Sequence, residues 1–309
     1  MRILVIGAGA TGGYFGGRLL ESGQDVTFLV RTGRAAQLAQ HGLQIRSGLG
    51  DVSLPSPPMI QASELREPFD LVLLSCKAYH LPQVIDDMAP AIGPQTTILP
   101  ILNGMRHLDL LDERFGADRV LGGQCVIAAT LDAQGTVRHL NQSHSLTFGE
   151  RDGVVSARVE RVLNAMSKAK FEPRLSTTIL QDMWDKWVFL ASLAGMTCLM
   201  RAPVGDIMAA PGGEEATLHL LDDCRRVAEH NGHLPAEAVL ARARSVLTDA
   251  GSSLSASMMR DLEQGGQIEA DHVVGDLLAR AGALSPELLM LRTAYTHLKA
   301  YEARRSRGK

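Results

Sequence analysis

The sequence predicts an α/β chain: a doubly wound, mainly parallel sheet followed by an all-helical C-terminal domain. Three observations lead there. Short, nearly continuous apolar runs alternate with helical stretches through the first half, the pattern of parallel strands covered on both faces. Strand signals stop near residue 177, after which the apolar residues recur at helical spacing. A chain of 309 residues is long for one core and comfortable for two.

The elements follow in order. Residues 2–7 read as an apolar strand, with a helix through Glu21 after it. Residues 25–30, 70–76 (ending LVLLSC) and 97–102 (TILPIL) read as the second, third and fourth strands, and 120–130 as the fifth. Residues 135–139 and 145–149 are later β segments with no helix between them, so that edge is expected to turn antiparallel. Helical patterns cover 179–199, 216–229, 235–248, 268–281 and 286–303. Leu218, Leu221, Cys224, Val227 and Ala228 share one face of the second. Ser285-Pro286-Glu287 looks like a helix start. The expected division is residues 1–177 as a dinucleotide domain and 178–309 as a helical substrate and catalytic domain, with the active site in the cleft between them.

Composition narrows the function classes. A net charge of −3 lacks the basic face of a nucleic-acid binder. The basic cluster Arg304, Arg305, Arg307 and Lys309 reads as a solvated tail. No apolar run reaches the ~18 residues of a membrane span, and Met1-Arg2 leads straight into a strand. These features set the expectation of a cytoplasmic protein without a signal peptide. Cys76, Cys125, Cys198 and Cys224 are scattered and make no CxxC pair, which points away from disulfides and zinc. His230 and His233 flank Gly232 with only Glu229 close by, so no metal site is expected.

Gly7-Ala8-Gly9-Ala10-Thr11-Gly12 fits GxGxxG between a strand and a helix, the context a Rossmann-type dinucleotide loop requires. Gly7 permits the turn, Gly9 lets the backbone approach a pyrophosphate, and Gly12 lets the helix pack closely. At the end of the second strand, where NAD sites carry an acid, stands Arg31, with Arg34 three residues on. A guanidinium there can pair with a 2′-phosphate, so NADPH is the expected cofactor, with Arg31 the main ligand and Arg34 assisting. Lys77 follows the third strand and Asn103-Gly104 the fourth. Both are expected on the same sheet edge, pointing into the cofactor crevice, although Asn-Gly alone can be turn chemistry.

These residues, with ILNGM, GGQCVIAAT followed by GTVRH, WDKW, SASMMRDL and IEADHVVG followed by Pro286, make the chain similar to the ketopantoate reductase (2-dehydropantoate 2-reductase) family over nearly its whole length. The resemblance implies reduction of the ketone of a branched 2-oxo acid with hydride from NADPH. It implies that Lys186 in WDKW is the general acid; by spacing alone that lysine is better read as an exposed helix residue paired with Asp182 or Asp185, and the resemblance reverses that preference. Asn103 corresponds to an asparagine shared by cofactor and substrate, Ala129 to a backbone contact with the cofactor, Glu269 to a glutamate on the cofactor side and Ser257 to a serine holding the substrate carboxylate.

The sequence departs from the family at Leu190, Ala194 and Val204, where asparagines bind polar groups of ketopantoate. Replacing three amides with aliphatic side chains should remove much of that hydroxyl recognition. Either ketopantoate is held differently, or the substrate is a less polar 2-oxo acid or ketone. A non-catalytic NADP(H) sensor is the remote alternative, disfavoured by the intact Lys77, Asn103 and Lys186. The partner is thus a small molecule, and the helical domain could supply a homodimer interface. A role in pantothenate biosynthesis follows only with ketopantoate.

Overall fold

The structure is a computed structural model describing residues 1–308. The chain divides into two compact units: Met1–Leu102 with His107–Leu180, and Asn103–Arg106 with the chain from Gln181 onward.

In the first unit, β1 (Arg2–Ile6) leads into α1 (Ala10–Glu21), β2 (Asp25–Leu29) and α2 (Thr32–His41). The hairpin strands β3 (Leu43–Arg46) and β4 (Val52–Leu54) follow, then the short β5 (Met59–Ile60). Next come β6 (Leu71–Leu74), α3 (Leu81–Met88), β7 (Thr97–Pro100) and α4 (Arg106–Phe115). The unit ends with β8 (Gly122–Leu131), β9 (Val137–Gly149), α5 (Ala157–Met166) and β10 (Glu172–Leu175). One sheet runs β5-β2-β1-β6-β7, all parallel. Its central strands are apolar at successive positions because both faces are covered; all four residues of β6 are fully buried. The chain winds outward from β1 through β2 to β5 and returns to β6 on the other side, placing the switch point between β1 and β6. In such sheets ligands bind at the carboxyl ends beside that point.

The late β segments form one strand, β9, which pairs with β8 on both sides of a register shift between Ile127 and Ala129. The pairing is antiparallel, as expected of that edge. β9 also pairs in parallel with β3 and β10, so these strands build a second sheet. Helix α1 packs against strands of both sheets.

The second unit takes α6 (Ile179–Met200) from Gln181 on, and this helix is buried without a break from Ala191 to Cys198. After it in the chain come α7 (Val204–Ala209), α8 (Gly213–His230), α9 (Glu237–Leu247), α10 (Ser257–Glu263), α11 (Asp276–Ala279) and α12 (Leu289–Ser306). No strand occurs here among the described residues. On α8 the buried face carries Leu220 in place of the half-buried Leu218. The pattern over 268–281 resolves into a π-helical turn, Asp271–Gly275, followed by α11.

Pro286 does not start the last helix. It lies within a 3₁₀ segment, Gly282–Glu287, and α12 begins at Leu289. The reason is tertiary: the Asp223 carboxylate on α8 accepts the Leu291 N–H at 3.0 Å, supplying from another element the cap that Ser285 was expected to give. Arg304 and Arg305 are exposed on the last turns of α12, and Lys309 lies outside the described residues.

Candidate active site

The first unit contributes the glycine loop. Gly7 has φ +88°, and a Cβ on Gly12 would fall 2.1 Å from the Gly7 carbonyl oxygen and from Ser75 Oγ. The loop therefore closes only with glycine at that position, bringing the start of α1 against β1. Gly9 has nothing within 4 Å of its Cβ position and is exposed. Ala8 is buried, Ala10 and Thr11 are half-buried, and α1 begins at Ala10. An open backbone leading into a helix N-terminus fits the pyrophosphate of a dinucleotide.

Arg31 and Arg34 part company here. Arg31 is exposed just past β2, with Nη1 at 3.2 and 3.3 Å from the two ring nitrogens of His80. Burial, and then the Arg31 charge, push the His80 pKa down, so the ring stays neutral and leaves the guanidinium charge uncompensated. Arg34 instead turns inward: Nε donates to the Ala8 carbonyl at 2.8 Å and Nη1 to Gly135 at 2.9 Å. It braces the glycine loop, which corrects its expected role as a second phosphate ligand.

Lys77 is half-buried directly before a 3₁₀ turn, Ala78–His80, that follows β6. The carboxyl ends of β1, β2 and β6 thus carry the glycine loop, Arg31 and Lys77 on one edge of the parallel sheet. Ala129 is half-buried on β8, next to an irregularity in the β8–β9 register.

The second unit contains Asn103, Lys186, Ser257 and Glu269. Lys186 is half-buried on α6, beside the buried Trp184 and Trp187, whose rings lie 4.9 Å apart. Trp184 also stacks on His233, whose pKa burial lowers. Burial raises that of the neighbouring Asp185, which accepts a bond from Gln181. Ser257 is exposed as the first residue of α10. The preceding Ala256 N–H donates to Thr197 Oγ1 of α6 at 3.4 Å. Glu269 is half-buried, and its carbonyl accepts the Val273 N–H. Of the three aliphatic replacements Leu190 is half-buried, while Ala194 and Val204 are 4% and 2% exposed. Leu190 therefore has the most surface to offer a ligand.

Sequence reasoning missed two histidines: His80, which flanks Arg31, and His272, whose ring donates to the Asn103 carbonyl. His80 lay within reach of inspection, three residues after Lys77. Nothing in the sequence marks His272, because it acts on a backbone atom. The four cysteines are free. Among the described residues no group of three or more His, Cys, Asp or Glu could hold a metal ion, and no helix is long and apolar enough to cross a membrane.

Comparison with known proteins agrees with this geometry. Residues 3–153 match the family model for ketopantoate reductase PanE/ApbA, and residues 178–302 match its C-terminal model. An uncharacterized oxidoreductase of Bacillus subtilis, YkpB, is 41% identical over 98% of this chain and 99% of its own. A 2-dehydropantoate 2-reductase of Halobacterium salinarum is 28% identical over 91% of this chain and 92% of its own. The crystal structure of 2-dehydropantoate 2-reductase from Geobacter metallireducens superposes with a TM-score of 0.88 at 27% identity, covering 97% of this chain and 99% of that one. By the two family models, which together span most of its length, the chain belongs to the ketopantoate reductase family and is an oxidoreductase.

Proposed function

We propose that the chain reduces a 2-oxo acid to the 2-hydroxy acid with NADPH, and that 2-dehydropantoate, giving pantoate, is the first substrate to test. The observation that carries this reading is Lys186, half-buried on α6 in the same unit as Asn103 and Ser257. Residues 1–177 hold most of the cofactor, and the rest of the chain supplies the substrate side together with Glu269 on the cofactor. The glycine loop receives the pyrophosphate, Arg31 the 2′-phosphate, and Lys77, Asn103, Ala129 and Glu269 further parts of the cofactor. When bound, NADPH supplies the hydride that goes to C2 of the substrate. Lys186 holds positive charge at the ketone oxygen and gives it a proton from Nζ as the C–H bond forms. Ser257 receives the carboxylate, and Asn103 orients the ketone.

A second reading keeps the reaction and changes the substrate. Leu190, Ala194 and Val204 offer no hydrogen bond to a substrate hydroxyl, which favours a 2-oxo acid or ketone with an apolar side chain. NADPH oxidation by the purified protein against a panel of hydroxylated and apolar 2-oxo acids tests both. Turnover of ketopantoate with the best kcat/KM supports the first reading, and preference for an apolar acid the second. Tight NADPH binding with no turnover anywhere would instead indicate a sensor. Placement in pantothenate biosynthesis and in the cytoplasm belongs to the first reading. The helical unit is where a homodimer contact would form.

A further inference from the structure

We propose that the π-turn Asp271–Gly275 is a positioning clamp that sets Asn103 in register with the Lys186 segment of α6, with His272 as its working residue. The inference rests on reading Asn103 and Lys186 as site residues. His272 touches neither substrate nor cofactor in this scheme; it acts through Asn103.

Three contacts converge on two successive residues of the turn. The His272 ring donates to the Asn103 carbonyl. The Asn103–Gly104 turn also rests against His272: a Cβ on Gly104 would lie 2.6 Å from the His272 carbonyl oxygen and 3.2 Å from its Cδ2. Gly104 has φ +76°, so both its conformation and its space call for glycine. The next carbonyl, of Val273, accepts the indole N–H of Trp187 at 2.7 Å. Trp187 is the residue after Lys186 on α6. One peptide step therefore joins the anchor of Asn103 to the anchor of the proposed acid.

The clamp has a fixed base. Asp271 accepts Tyr295 Oη at 2.7 Å and Lys299 Nζ at 2.9 and 3.0 Å, both from α12. The Asp276 N–H returns to the Asp271 carbonyl, the five-residue closure of a π-turn, a local widening often found at functional sites. The His272 side chain is buried at 6% exposure. That burial, with Arg106 and Arg280 nearby, pushes its pKa down to about 4. The ring is thus neutral, with one donor and one acceptor, at any neutral working pH.

The test compares His272→Leu with His272→Asn and His272→Gln, which return an N–H at the Nδ1 and Nε2 positions respectively. Each is made alone and together with Asn103→Ala. Two readouts are taken: kcat/KM with NADPH, and hydrogen exchange of the amides of residues 103–106 without ligand. His272→Leu is expected to speed exchange at 103–106 selectively and to cost about tenfold in kcat/KM, the scale of one lost hydrogen bond. On the Asn103→Ala background the further loss should be under about twofold. One of the two amide variants should restore both readouts.

An equal factor in both backgrounds, or exchange at 103–106 no faster than in the wild type, overturns the clamp. Should His272→Leu fail to fold, the amide variants decide: wild-type exchange at 103–106 with kcat/KM still about tenfold down, or fast exchange with wild-type kcat/KM, also overturns it. If the wild type turns over no 2-oxo acid, the functional reading fails instead, and the exchange data still decide the clamp.

Discussion

At the scale of single residues, the two ends of the hydride path call for different losses. In the proposed reaction, removing Lys186 would take away both the proton and the charge that meets the developing alkoxide. Lys186→Ala should lower kcat by about 10²- to 10⁴-fold, the range for a positioned general acid. NADPH affinity, followed by fluorescence titration, should change little; near wild-type turnover would remove Lys186 from the chemistry. Arg31 tests the cofactor end. The neighbouring neutral His80 does not offset its charge, and a charge-assisted bond to phosphate is worth about 1.5–3 kcal/mol. Arg31→Ala should thus weaken NADPH by about 10- to 100-fold while NADH changes by less than about twofold. Equal losses would refute the 2′-phosphate assignment. Arg34→Ala should give just that equal loss, because its bonds go to the Ala8 carbonyl of the glycine loop and to the Gly135 carbonyl and not outward.

At the scale of elements, the start of α12 shows what a single sequence hides. The Ser-Pro-Glu signal is real chemistry, but a buried carboxylate 68 residues away in the chain caps the helix instead. Asp223→Ala should cost about 1–2 kcal/mol in a denaturant midpoint, the loss of a cap at a buried helix start. Asp223→Asn, which keeps an acceptor, should cost less; an equal cost would assign the effect to packing. The same distinction separates what could be read from what could not. β1, β2, β6 and β7 were legible because burial on both faces writes an apolar run. β3, β4, β5 and β10 are two to four residues long, and all but β5 have polar or proline positions, so they depend on pairing with neighbours for their existence. The glycine loop was legible as a backbone freedom tied to a motif and Arg31 by its place at the end of β2, whereas Lys186 stood out only through the family resemblance. His272 and the inward turn of Arg34 act on carbonyls brought close only by folding, so no spacing in the sequence announces them.

At the scale of the whole molecule, the histidines set the acid limit of stability. Five of them, His80, His144, His233, His272 and His297, have pKa values lowered first by burial. A histidine whose folded pKa lies below its unfolded value of 6.5 gives its full stability above pH 6.5. That stability is lost as pH falls toward the folded pKa, because the unfolded chain takes up protons that the native state refuses. For His272 the interval runs from 6.5 down to about 4, which corresponds to about 3 kcal/mol on the usual conversion. Against a total of about 5–15 kcal/mol for a folded domain, one buried ring is then a large share. Asp185 and Asp223, raised by burial, act in the opposite sense as they protonate. The paired Glu21 and Glu150 begin to withdraw support only near and below 4.5, where the unfolded chain starts to bind protons. Unfolding free energy should therefore begin to fall at about pH 6–6.5, well above the carboxylate range. His272→Gln, which cannot titrate, should flatten the slope between pH 6.5 and about 4 by about one proton's worth. Denaturant titrations at half-unit pH steps measure this directly, and an unchanged slope in that variant would place the acid sensitivity elsewhere.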